Sequence, residues 1–172
     1  MTFRNILKGA TLALLVSIAF SACTKEEEVE KKVESFSYAF NIGQIAAAFT
    51  YTGTHASTLS ADLKLEEQDN GTLVTITLNN TINGETYHIH AHDAADASVT
   101  PNGTPYNEAP NGDVLVQQIV GNGGSVSASQ SSSMTIDELT TSYEGFLVVH
   151  DPLQAVSTTD PGTFVILASF GK

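Results

Sequence analysis

The chain has 172 residues, enough for one domain and a leader, and its 19 acidic against 7 basic residues give a formal net charge of −12. Such a surface repels nucleic acid and anionic substrates and attracts cations. A single cysteine, Cys23, rules out a disulfide framework within the chain.

At the start, Arg4 and Lys8 form a positive region before an uncharged apolar stretch over residues 9–20. It is too short to span a bilayer and reads as a removable secretory signal, residues 1–22. Phe20-Ser21-Ala22 before Cys23 is similar to the lipobox of bacterial lipoproteins. That likeness implies cleavage before Cys23, lipidation of its thiol and attachment to a lipid bilayer at the outer membrane or cell surface, the periplasmic face being the other option. Residues 23–34 (CTKEEEVEKKVE) have too little apolar content to build a core and read as a charged, solvated tether.

Residues 35–172 form one domain with a single core. Phe36, Tyr38, Phe40 and Ile42 alternate with polar or small residues, as do Leu59, Ala61, Leu63 and Leu65, then Val74, Ile76 and Leu78. A period of two marks half-buried strands. Turn signals separate them: Asn70-Gly71, Asn83-Gly84, Asn102-Gly103, Asn111-Gly112 and Asn122-Gly123. No segment holds a 3.6-residue period over three turns. The expected fold is therefore all-β, a Greek-key antiparallel barrel or sandwich of about eight strands. Ile76, Leu78, Ile89, Phe146, Val148 and Ile166 are expected in its core. Residues 93–111 read as a long loop, and the Gly/Ser-rich residues 121–133 as a flexible connection.

Four of the five histidines fall into two strand-like segments. In Tyr87-His88-Ile89-His90-Ala91-His92-Asp93, alternation puts His88, His90 and His92 on one face and Tyr87, Ile89 and Ala91 on the other. Imidazoles at i and i+2 lie about 7 Å apart at Cα and can converge on one metal ion. A histidine on a strand's outer face is ordinarily only a solvated polar group. The metal reading gains weight from His150, which closes the distant apolar run Phe146-Leu147-Val148-Val149-His150. His92 is a candidate fourth ligand, and His55 reads as a loop histidine without a role.

In order along the chain stand HIH, a long irregular loop, Asn111-Gly112-Asp113, Leu147-Val148-Val149-His150-Asp151 and a closing GTFVILASFG. Together they resemble the copper/zinc superoxide dismutase family, a Greek-key β-barrel, over residues 45–171. The resemblance implies one copper ion held by His88, His90 and His150, and puts Asp113 where the family has its zinc-binding aspartate. The departures are as informative. No histidine stands near Thr104-Pro105-Tyr106-Asn107, where the family's bridging histidine belongs, so zinc is not expected. Phe164 stands in place of the arginine that guides superoxide. Copper still suits three imidazoles, whereas an acidic surface without that arginine works against a steered anion. The expected protein is a membrane-anchored lipoprotein that binds copper and dismutes superoxide weakly or not at all.

The CHRD domain, another secreted β-domain that often has a similar His-x-His, is a weaker likeness, since its Gly-Glu-x-Arg-Gly pattern is absent here. The competing function is a non-catalytic module for adhesion, scaffolding or envelope integrity, binding no metal. Hydrolase chemistry finds no nucleophile elbow.

Overall fold

In the computed structural model, residues 30–41 and 50–172 are described; the leader, Cys23, most of the tether and Ile42 lie outside them. The fold is all-β, with eight strands in two four-stranded antiparallel sheets. The first sheet has β1 (Val33–Ala39), β2 (Ser60–Gln68), β3 (Gly71–Asn79) and β6 (Val126–Ser132) in the order β1-β2-β3-β6. In the second, β4 (Thr86–Asp93), β5 (Val116–Val120), β7 (Gly145–His150) and β8 (Phe164–Ser169) run in the order β5-β4-β7-β8. The sheets do not close into a barrel; the molecule is a sandwich. Across it, β7, β4, β5 and β6 follow one another in Greek-key order. No helix among the described residues is long and apolar enough to cross a membrane.

Between the sheets lies the main core. Ala61, Leu63 and Leu65 of β2 and Val74, Ile76 and Leu78 of β3 face Tyr87, Ile89 and Ala91 of β4, Leu147 and Val149 of β7, and Ile166 of β8. Each set occupies alternate positions of its strand, as the pleat requires. On the outside of the first sheet hydroxyls pair across strands, Thr75 with Ser129 at 2.8 Å and Thr77 with Ser127 at 2.7 Å. The β2–β3 hairpin turns on Asp69 and Asn70, with Gln68 opposite Gly71. Gly71 has φ +119°, and a Cβ there would collide with the Ser132 carbonyl, so no other residue fits.

Three expectations shift. β1 begins at Val33, inside the stretch read as tether, because Val33 and Glu34 pair with Glu66 and Leu65. Residues 126–132, read as part of a flexible connection, form β6. Val126 and Ala128 turn toward the core, and β3 supplies the ladder that local composition does not predict. Phe146 is only half-buried, and Val148 faces away from the main core. The ladder fixes this: Val149 pairs with Ile89 and Ile166, whereas Val148 pairs with His90 and Leu167. β7 is thus buried on both faces, and its second face belongs to the histidines.

Candidate metal centre

The outer face of the second sheet carries His88, His90 and His92 on β4 and His150 at the end of β7. A second, smaller apolar cluster of Tyr106, Val148, Phe164 and Leu167, with Phe146 against it, covers the same face. The cover comes from the loop after β4. Ala94 bridges to Tyr106, Asn107 N–H donates to the Asp93 carbonyl at 2.8 Å, and Asn111 N–H donates to Ala91 at 2.7 Å. The Asp93 carboxylate accepts from Asn111 Nδ2 at 2.7 Å and from the Tyr143 hydroxyl at 3.0 Å. The long loop is therefore pinned at both ends to the strand whose histidines it shields.

His90 is the hub. Its ring centroid lies 6.4 Å from His88, 5.8 Å from His92 and 5.1 Å from His150. His92 is fully buried and His150 nearly so (1 % exposed), His90 is 8 % exposed, and His88 is half-buried. The β7–β8 ladder slips by one residue after Val149. This bulge lets Val165 join Ile166 in the main core and sets Phe164 opposite His150, ring centroids 4.7 Å apart. Phe164 is thus a packing residue, not part of an open rim.

Burial governs the electrostatics. Loss of solvent pushes His90 down to about 4 and His150 down to about 3, and the neighbouring imidazoles add to both shifts. Burial also lowers His92, partly offset by the Asn107 carbonyl. All three are neutral at pH 7, the form in which imidazole coordinates a metal. Burial likewise raises the Tyr106 phenol.

Five buried polar atoms in this one place make no hydrogen bond: His90 Nδ1, His92 Nε2, both ring nitrogens of His150, and the Tyr106 hydroxyl. Each such atom costs about 1–3 kcal/mol, so five together form an unusual concentration of unmet donor and acceptor capacity. A metal ion would satisfy one lone-pair nitrogen of each ring, leaving the second nitrogen of His150 as an N–H donor, and the donor set suits copper or another imidazole-preferring ion. The set is not preassembled. Among the described residues no three His, Cys, Asp or Glu side chains stand ready around one point, so coordination requires the rings to turn.

The other expected residues fall elsewhere. Asp113 is exposed in a loop, where its carboxylate accepts from Ser133 N–H at 3.1 Å and from the Ser133 hydroxyl at 2.7 Å. His55 lies in a loop, as expected, but it is buried and hydrogen-bonded. Its Nδ1–H donates to the Ala56 carbonyl at 2.9 Å, leaving Nε2 to accept from the Tyr87 hydroxyl at 2.7 Å. Tyr87 also accepts from Ile82 N–H at 2.9 Å, which ties β4 down from its inner face. Asp151, beside His150, is buried and accepts from Tyr51 Oη at 2.6 Å, Leu153 N–H at 2.9 Å and Gln154 Nε2 at 3.0 Å. Neither Tyr106 nor the Tyr51–Asp151 anchor was visible as a motif; both depend on loops folding back over β4 and β7.

No protein-family model matches this sequence, and no curated protein and no solved structure is significantly similar to it.

Proposed function

We propose that this domain binds one copper ion through the histidines on the outer face of its second sheet. His90 and His150 form the central pair, and His88 and His92 flank them on β4. One observation carries the reading: the unpaired, buried, neutral ring nitrogens of His90 and His150 on adjacent strands, 5.1 Å apart between ring centroids. Bound there, copper supplies a one-electron redox centre or a stored ion. The protein's own residues fix the imidazoles as neutral ligands, exclude bulk water through the loop after β4, and hold the β7 end with the Asp151 hydrogen bonds.

In this reading superoxide dismutation is weak or absent. Phe164 packs against His150 where a steering cation is needed. Lys31, Lys32 and Lys64 are engaged in ion pairs on the first sheet, the nearest N···O distances being 3.0, 2.7 and 2.8 Å. Lipidation at Cys23 would place the domain at a bilayer surface as a membrane-anchored lipoprotein. The test is to purify the full chain without added metal, measure its metal content, and titrate it with Cu²⁺. One ion bound per chain with slow dismutation supports the reading; no stoichiometric binding ends it.

The missing ready-made coordination set favours one competitor, a metal-free module for adhesion, scaffolding or envelope integrity whose outer-face histidines are only packed side chains. The same titration separates the two.

A further inference from the structure

The resemblance selects His88, His90 and His150 by spacing, whereas the hydrogen-bond pattern selects a different third nitrogen. His92 Nδ1 lies 2.8 Å from the Asn107 carbonyl. A carbonyl only accepts, so Nδ1 carries the proton and neutral His92 leaves a lone pair on Nε2. That Nε2 is buried and has no partner. An imidazole whose far N–H is held by a backbone carbonyl while its other nitrogen stands free has the orientation that protein metal ligands regularly show. His88 has neither feature: it is half-buried, and its nitrogens are not among the buried unpaired atoms.

Beside His92 lies an oxygen in the same situation. Tyr106 is fully buried, its ring centroid is 5.3 Å from that of His92 and 6.2 Å from that of Phe164, and its hydroxyl has no partner. Buried tyrosines normally find a partner for the hydroxyl. A phenylalanine would fill this site among Phe146, Phe164 and Val148 without that penalty, yet the chain places a phenol here. His150 contacts Phe164 on the other side, so Tyr106, His92, His90 and His150 form one continuous run of ring contacts, and each of the four carries at least one of the unpaired atoms.

We infer that Tyr106 Oη and His92 Nε2 complete the copper site on its buried side, giving three imidazoles (His90, His92, His150) and one phenolate oxygen, with His88 outside the ligand set. This rests on the copper reading above. As the oxygen–copper bond forms, the phenol O–H bond breaks and its proton leaves to solvent; no electron changes hands. The set is not preassembled, so the rings must turn about their side-chain torsions to gather it.

The test uses the full chain titrated with Cu²⁺ as a simple salt, read by visible absorption and by competition with a chelator of known affinity. The wild type should show a phenolate-to-copper charge-transfer band that grows to one equivalent. Tyr106→Phe should still bind one copper but lose that band. His92→Gln should weaken copper affinity about tenfold or more, and His88→Gln should change it less than His92→Gln does. Because Tyr106→Phe removes only an unpaired hydroxyl, its metal-free form should melt at or above the wild-type temperature; a lower melting temperature would mean the hydroxyl has a protein partner and overturns the inference. Copper bound without the band, a band that survives in Tyr106→Phe, or a larger loss in His88→Gln than in His92→Gln also overturns it while leaving the copper reading standing. If the wild type binds no copper at one equivalent, both fall together.

Discussion

His90 on β4 and His150 at the end of β7 meet across an antiparallel ladder with ring centroids 5.1 Å apart, and the Nδ1 of each is buried without a hydrogen bond. They are far apart in sequence, so the pair exists only because the two strands are neighbours. Removing His150 takes away the only histidine supplied by a strand other than β4. We expect His150→Ala and His90→Ala each to lower copper affinity by about a hundredfold or more, roughly 2.7 kcal/mol. His55→Ala, which touches only the inner side of β4, should leave it unchanged. Equal affinity in wild type and His150→Ala, measured by chelator competition, rejects the site.

The same burial should make the metal-free protein acid-sensitive. An imidazole in the unfolded chain takes up a proton near 6.5, whereas His90 resists it down to about 4 and His150 down to about 3. Between those limits the unfolded state holds more protons, so acidification favours unfolding. Stability should fall as the pH drops from about 6.5 toward 4, by up to about 1.4 kcal/mol per pH unit for each of the two groups. Urea midpoints measured without metal at pH 7 and pH 5 should show the decline. The double variant His90→Gln, His150→Gln should flatten it.

What the sequence reveals and what it hides follow from one distinction. The pleat fixes which residues of a strand share a face, so the His88–His90–His92 face, the opposite Tyr87–Ile89–Ala91 face and the period-two cores of β2 and β3 were all legible. Which face of β7 carries Phe146 and Val148 was not, since both faces are apolar and only pairing with β4 decides between them. β6 hides in a serine-rich stretch whose side chains suit an exposed face but whose strand state comes from β3. Tyr106 and the Asn107 carbonyl reach the histidines through an irregular loop, and no local periodicity reports a contact of that kind.

Tyr87 links the histidine strand to the loops before it. Its hydroxyl donates to His55 Nε2 and accepts from Ile82 N–H, so Tyr87→Phe leaves both groups unpaired in a buried place. We expect a loss of about 1–3 kcal/mol from the denaturant midpoint, with copper affinity changed only slightly because the ring stays in place. A neutral substitution would show that water replaces the hydroxyl.

The proposed lipid anchor rests on Cys23, outside the described residues. If the signal is cleaved at a lipidated cysteine, Cys23→Ser should release the protein from the membrane fraction or leave the precursor unprocessed. A Cys23→Ser protein that is both mature in size and membrane-bound contradicts the anchor.

Phe164, which stands where the resemblance to the dismutase family would put an arginine, tests whether this face is open or packed. Were it on an open rim, Phe164→Arg would restore attraction for superoxide and raise any residual dismutation, most clearly at low salt. In the structure Phe164 is fully buried, stacked edge-on against His150 and close to Tyr106. An arginine there would bury a guanidinium against the His150 imidazole and the Tyr106 ring, a change costing several kcal/mol. Even Phe164→Ala should cost about 3–5 kcal/mol. We therefore expect Phe164→Arg to lower the melting temperature sharply and to gain no dismutase activity. A well-folded Phe164→Arg protein with faster, salt-sensitive dismutation would show that this face opens to solvent.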